Sequence, residues 1–294
     1  MGNMGNHMAG YVQKGGNQLF VYDTNPDAVR PLVLQHDAVV ATSPSDLASK
    51  VDRLITMVPT PKDVLEVYLG KEGVISGGQA KAGTILVDSS TIDPTTAQTV
   101  AKEAAKSGLH FVDAPVTGAV PGARAGTLTF LVGGPEETVT AVKELLMTMG
   151  KNVIHCGPVG TGQVAKICNN MLLSVVLVGT SETLNLGERL GLDPKLLTQI
   201  LNISSGRSWV TESYNPVPGV GEPSLPASND YTGGFGCKLM AKDLTLAQTI
   251  AVQSQSPIPM GSLAAQVYRL MTNNGFADKD MSYAYQFFKQ NDQV

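Results

Sequence analysis

Gly2-Asn3-Met4-Gly5 has the spacing of the last two glycines of G-x-G-x-x-G, a turn that lets the backbone approach a pyrophosphate at a helix start. The first glycine of the pattern would fall one residue before Met1, and no apolar strand leads into the turn. Downstream, Gln18-Leu19-Phe20-Val21-Tyr22-Asp23 reads as a strand ending in a carboxylate. It lies about 20 residues after the turn, where a dinucleotide-binding fold places the acidic group that holds a ribose hydroxyl. The expectation is a Rossmann-like domain without its first strand. That strand would be central and buried on both faces. Its loss would open neighbouring strand edges and apolar area, at several kcal/mol on the usual ~25 cal/mol per Å².

Outward from this stretch, short β-rich runs alternate with helical ones. Strands are expected at 19–22, 54–57, 84–87, 110–113, 129–132 and 152–155. Helices are expected at 6–14, 26–36, 44–50, 62–68, 94–107 and 135–149. Ser43-Pro44 and Asp93-Pro94 open helices, and Gly108 closes one. This alternation argues for a mainly parallel sheet covered on both faces. After Gly162 the pattern changes. Gln163 to Leu190 is helical with apolar residues over most of its surface, the mark of a buried helix. Further helices are expected at 194–201, 240–253, 261–274 and 282–290, with a long Pro/Gly-rich loop from Tyr214 to Thr232. The chain divides into an α/β domain, 1–161, and an all-helical domain, 162–294, for substrate binding and oligomerisation.

With 294 residues, 43% hydrophobic and 16% charged, the composition is that of an ordinary globular protein. A net charge of −4 with no basic cluster argues against a nucleic-acid surface. The apolar run Met171 to Val178 is too short to span a bilayer. Three cysteines without ligand spacing suggest reduced thiols.

Asp23 has two readings, a ribose-binding carboxylate or a simple cap on the next helix. As a ligand it favours NAD, because a 2′-phosphate would be repelled and would need a basic partner. Met57-Val58-Pro59-Thr60 and Asp88-Ser89-Ser90-Thr91 both leave the carboxyl ends of strands, where a doubly wound sheet binds its ligand; ordinary turn chemistry is the alternative. Asp113 to Thr127 is dense in small residues, including Gly118, Gly122 and Gly126. It is either an anion-binding loop or a flexible hairpin. Lys166 and Asn170 are four apart and share a helical face. A lysine on a buried face is costly unless paired or used, and burial favours the neutral amine that proton transfer needs. The alternative is a lysine snorkelling at a domain edge. Lys242-Asp243 reads as a solvated pair, and Trp209 as core or pocket wall. His7, His36, His110 and His155 show no ligand spacing.

Together these segments resemble the β-hydroxyacid dehydrogenase family over essentially the whole chain. Gly2 to Gly5 matches its dinucleotide turn, Asp113-Ala114-Pro115-Val116-Thr117-Gly118 its substrate signature, Gly160 to Asn170 its catalytic helix, and Lys242-Asp243-Leu244 its C-terminal motif. Ser204 to Trp209 and Tyr214 to Val220 are similar to the branch that acts on a short branched hydroxyacid. The resemblance implies NAD held by Gly2, Asn3, Met4, Gly5 and Asp23, bordered by Val58, Pro59, Asp63, Thr91 and Lys242. It implies a substrate carboxylate held by Thr117, Gly118 and Asn170, and Lys166 as general acid/base, with no metal. It further implies a homodimer or homotetramer and, for eukaryotic members, the mitochondrial matrix. The family usually has serine where Thr117 stands. Two rival readings are a relative acting on tartronate semialdehyde and an inactive homologue used as a scaffold.

Overall fold

Short side-chain caps, more than long apolar runs, decide where the helices of the first half begin. The computed structural model describes residues 1–289. Its elements run α1 (Gly5–Lys14), β1 (Phe20–Val21), α2 (Pro26–His36), β2 (Val39–Val40), α3 (Pro44–Ala48), β3 (Arg53–Thr56) and α4 (Pro61–Leu69). There follow β4 (Ile85–Asp88), α5 (Pro94–Lys106), β5 (His110–Asp113), β6 (Val116–Thr117), α6 (Ala119–Ala125), β7 (Leu128–Gly133), α7 (Glu136–Met149) and β8 (Gly150–Gly157). Asn25, Ser43, Thr60 and Asp93 each accept a backbone N–H in the first turn of α2, α3, α4 and α5, and each is followed by proline at the first helical position. Contacts divide the chain into a first unit, Met1–Lys166, and a second that begins at Ile167.

The first unit holds two sheets. β1 and β2 form a parallel pair of their own, and the larger sheet runs β3-β4-β5-β7-β6 with β8 on β7. β3, β4 and β5 are parallel, but β7 runs antiparallel to both β5 and β6. The larger sheet is therefore mixed, with three parallel pairings and two antiparallel ones. The reason lies in Asp113 to Thr127: β6 and α6 turn the chain back, so β7 enters the sheet reversed. Among the described residues, no backbone hydrogen bond joins the β1–β2 pair to the larger sheet. Helix α1 spans both through side chains. Met8 enters the cluster of Val87, Val112, Phe130 and Leu146, and Ala9 enters that of Val21, Val29 and Leu32. Covering each large apolar side chain of this kind contributes about 1.5–3 kcal/mol.

The second unit is helical: most of α8 (Thr161–Arg189), then α9 (Pro194–Asn202), α10 (Trp209–Ser213), α11 (Cys237–Gln253), α12 (Pro259–Met271) and α13 (Ala284–Lys289). The helix expected from Ser282 to Gln290 opens with a 3-10 turn at Met281–Tyr283, and Gln290 lies outside the described residues. Its core gathers Leu177, Met240, Leu244, Tyr268 and Met271. Helix α8 is long and apolar enough to cross a membrane by length and composition. Its Ile167, Leu177 and Leu184 are covered by protein, whereas Leu172 and Leu186 are exposed. The expectation of a helix buried all round is thus corrected: apolar sequence on every face does not require a protein neighbour on every face. The loop from Tyr214 to Thr232 is tied down by Asp280, whose carboxylate accepts the Tyr214 hydroxyl at 2.8 Å and the Phe235 N–H at 2.7 Å.

Candidate active site

Helix α1 opens at Gly5 after Met4, and no side chain caps it. The Asn6 N–H donates to Gly2 O at 3.2 Å, and the positive end of the helix dipole, with no side chain on it, favours an anion. Asp23 follows β1, is 22% exposed, accepts the Asn25 N–H at 2.8 Å and pairs with the Met1 ammonium. The side chain that caps α2 is Asn25, while Asp23 caps the turn before it through the Asn25 N–H, so the turn-capping reading of Asp23 stands beside the ligand reading. An uncapped helix start and a partly exposed carboxylate beyond the next strand fit a dinucleotide. Asp63 has a local job. Its Oδ2 accepts from the Thr60 N–H at 3.0 Å and the Thr60 hydroxyl at 2.6 Å, closing a capping box that fixes the Val58-Pro59-Thr60 turn. The Val58 N–H donates to Ser90 Oγ at 2.9 Å, which joins this turn to the loop carrying Thr91.

Behind these loops lies a buried polar cluster that the sequence reading missed. Asp88 and Asp113 end adjacent strands and stand in register. Asp88 Oδ1 accepts the Thr56 hydroxyl at 2.7 Å, and Thr56 Oγ1 lies 2.8 Å from the Tyr68 hydroxyl. Asp113 Oδ1 accepts the Gly160 N–H at 2.6 Å, and its Oδ2 accepts the Gln163 N–H at 2.9 Å. Burial pushes both carboxyls up to about 6, against the opposing effect of these donors. Gln163 is itself fully buried; its Nε2 donates to Ser90 O at 2.9 Å and its Oε1 accepts the Ile92 N–H at 3.0 Å.

Thr117 ends β6 opposite Thr129. Gly118 follows with φ +122°, a conformation suited to glycine, and Ala119 with φ +49° opens α6. The run left open between an anion-binding loop and a flexible hairpin is thus a strand, a turn and a short helix. Its small residues, with Pro121 and Gly122, carry no helical periodicity to read.

Lys166 is 9% exposed and Asn170 3%, one turn apart on α8. Asn170 Nδ2 donates to Asp243 Oδ2 at 2.6 Å, and its Oδ1 accepts from Asn169 Nδ2 at 3.1 Å. Lys242 Nζ stands 3.1 Å from Asp243 Oδ1, within ion-pair reach but off hydrogen-bonding geometry. Asp243 is buried, so the reading of Lys242-Asp243 as a solvated surface pair is corrected. Its other oxygen is bonded by Asn170, from another helix. Trp209 is half exposed and stacks on Tyr214 with ring centroids 5.0 Å apart.

Residues 1–157 match the family described as the NAD binding domain of 6-phosphogluconate dehydrogenase, and residues 160–288 match the NAD-binding domain of NADP-dependent 3-hydroxyisobutyrate dehydrogenase. The mitochondrial 3-hydroxyisobutyrate dehydrogenase of Homo sapiens is 53% identical over 290 residues, 99% of this chain and 85% of that protein. The NAD-dependent L-serine dehydrogenase of Pseudomonas aeruginosa is 45% identical, covering 98% of this chain and 95% of that protein. A solved 3-hydroxyisobutyrate dehydrogenase of Mycobacterium tuberculosis with L-serine superposes at a TM-score of 0.91 with 36% identity, over 98% of this chain and 96% of that one. The matched NAD-binding domains and the NAD-dependent relatives agree on NAD as the cofactor. From turn to C-terminal motif, the chain belongs to the β-hydroxyacid dehydrogenases, a family of NAD-dependent oxidoreductases.

Proposed function

We propose that this chain oxidises the primary hydroxyl of 3-hydroxyisobutyrate to methylmalonate semialdehyde, a step of valine breakdown, with Lys166 as general acid/base. The observation that carries the reading is the buried pair Lys166 and Asn170 on one face of α8, in a chain 53% identical to a human enzyme of that name. Bound NAD supplies the hydride acceptor. The Lys166 amine takes the hydroxyl proton as the carbinol C–H bond breaks, and in reverse its ammonium protonates the alkoxide oxygen. Thr117, Gly118 and Asn170 hold the carboxylate. Asp243, by accepting one Nδ2–H of Asn170, orients that amide so that its second N–H is the one that donates to the carboxylate. Gly2, Asn3, Met4 and Gly5 receive the pyrophosphate at the start of α1, and Asp23 the adenosine ribose. Val58, Pro59 and Thr91 border the cofactor, with Asp63 holding their turn in shape, and Lys242 closes over it. The methyl that Thr117 carries in place of the usual serine narrows the space beside the carboxylate.

Purified protein given NAD and 3-hydroxyisobutyrate should form NADH at a rate that saturates in both. Lys166→Ala should lower kcat by about 10²- to 10⁴-fold while NAD binding persists. Unchanged turnover in that variant would remove Lys166 from the mechanism, and no turnover in the unmutated chain would favour the scaffold reading.

A second substrate is supported by the L-serine dehydrogenase relative. L-Serine has the same carboxylate, one carbon from the same CH₂OH, with an ammonium where 3-hydroxyisobutyrate has a methyl. Comparing kcat/KM for the two acids decides between them. The reading also includes a mitochondrial matrix location, supported by relatives named mitochondrial, and a homodimer or homotetramer. Exposed apolar side chains on the second unit, such as Leu172, Ile203, Val252 and Leu263, support the latter. Light scattering at micromolar concentration tests it, a monomer being the contrary result.

A further inference from the structure

We infer that Asp113 and Gln163 form a two-sided clamp that fixes the start of α8, and that both are positioning residues for proton transfer at Lys166. The inference rests on the proposed role of Lys166.

The clamp is built from two adjacent strands. From the end of β5, Asp113 reaches the first turn of α8 and accepts the N–H groups of Gly160 and Gln163, one on each carboxylate oxygen. This replaces an ordinary cap: the accepting side chain comes from the sheet, 47 residues back in the chain, and not from the residue before the helix. Its negative charge also meets the positive end of a 29-residue helix. In the other direction, Gln163 reaches from α8 to the loop after β4. Its amide donates to Ser90 O and accepts the Ile92 N–H, so both ends are used and its orientation is fixed.

Three segments of the proposed site meet at this clamp. Asp113 begins the run Ala114 to Gly118 that carries Thr117. Ser90 and Ile92 bracket Thr91. Lys166 follows Gln163 by three residues, so fixing Gln163 fixes the helical rotation at which Lys166 leaves the axis. The packing beneath leaves no slack. A methyl at Gly162 would lie 2.3 Å from Leu131 O, and one at Gly133 would lie 2.5 Å from Asp113 Oδ1. The helix start therefore sits directly on the backbone of β7. Neither replacement of the same length serves at 163: methionine has the length without the bonds, and glutamate would face Ser90 O with a second acceptor.

The test is steady-state kinetics on Gln163→Met and Asp113→Asn, alone and combined with Lys166→Ala. Each single variant should lose about 10- to 100-fold in kcat, the effect of a misplacement of order 1 Å at the reacting centre. KM for NAD and for the hydroxyacid should change less than about threefold. In the Lys166→Ala background, Gln163→Met should cause no further loss, because it acts through that amine. A kcat for Gln163→Met equal to wild type, or an equal loss with and without Lys166, overturns the clamp. If Gln163→Met fails to fold, Asp113→Asn, which keeps shape and one acceptor, carries the same test. Unchanged turnover in Lys166→Ala alone would instead overturn the underlying reading of the lysine, and so tells the two failures apart.

Discussion

Adding a single methyl at Gly162 sets two opposed effects against each other. Alanine is the better helix former, by at most ~1 kcal/mol. Yet at Gly162 the new carbon would stand 2.3 Å from Leu131 O, 2.8 Å from Asp113 Oδ2 and 3.0 Å from Gly133 N. Comfortable contacts of carbon lie near ~3.5 Å, so the helix start must withdraw by about an ångström. Overpacking of this kind costs ~1–3 kcal/mol, and stretching the charged bonds to Asp113 costs a further ~1.5–3 kcal/mol. The clash wins, and Gly162→Ala should destabilise by about 3 kcal/mol, or about 5 °C in Tm for a chain of this size. Gly179, in the same helix, is the control. A methyl there meets nothing within 4 Å, so Gly179→Ala should gain ~0.5–1 kcal/mol. Thermal unfolding by circular dichroism of both variants reads the difference. A Tm for Gly162→Ala at or above that of the unmutated chain would refute the close-approach argument.

Asp243→Ala leaves the buried Asn170 amide without its acceptor. It should cost ~1–3 kcal/mol in urea unfolding and raise KM for the hydroxyacid more than KM for NAD; equal changes in both constants would count against the assigned partner. Asp88 provides a pH signature. Its folded carboxyl lies at about 6, above the ordinary 3.8, because it is buried. The folded state therefore holds the proton more tightly, and this contribution is present below pH ~4 and lost as pH rises through ~6, about 3 kcal/mol in all. The stability of Asp88→Asn relative to the unmutated chain should rise between pH 4 and 6 and then level off, as read by unfolding midpoints across that range. A flat difference would show that Asp88 ionises normally.

Local chemistry was legible in the sequence; long-range pairing was not. Asp93-Pro94 opens α5 because both its cap and its proline act within one turn. Lys166 and Asn170 could be placed on one face because helical spacing alone does so. Val39–Val40 was missed because a two-residue strand has no period to detect. Asp113 read as the first letter of a substrate signature, yet its carboxylate works on Gly160 and Gln163, 47 and 50 residues on. Asp243 looked like the partner of its neighbour Lys242, but its hydrogen bond goes to Asn170, 73 residues away. Nothing in the neighbours of either aspartate signals where the chain will return. Gly162 marked the change of pattern, but the carbonyl that forbids a side chain there comes from β7, in a different part of the sequence.

The attachment of the first forty residues has a thermodynamic consequence. α1, β1, α2 and β2 are joined to the larger sheet by side chains such as Met8, and by the Tyr11 hydroxyl donating to Arg124 O at 3.0 Å, with no shared backbone ladder among the described residues. A segment held this way opens at lower free energy than the sheet it rests on, and its amides should exchange with solvent as one early group. Both the start of α1 and Asp23, the proposed pyrophosphate and ribose contacts, lie on it. With NAD bound there as proposed, part of its binding energy would be spent closing this segment. The apparent affinity falls with the closed fraction, and saturating NAD slows exchange there before it slows exchange in β4 or β5.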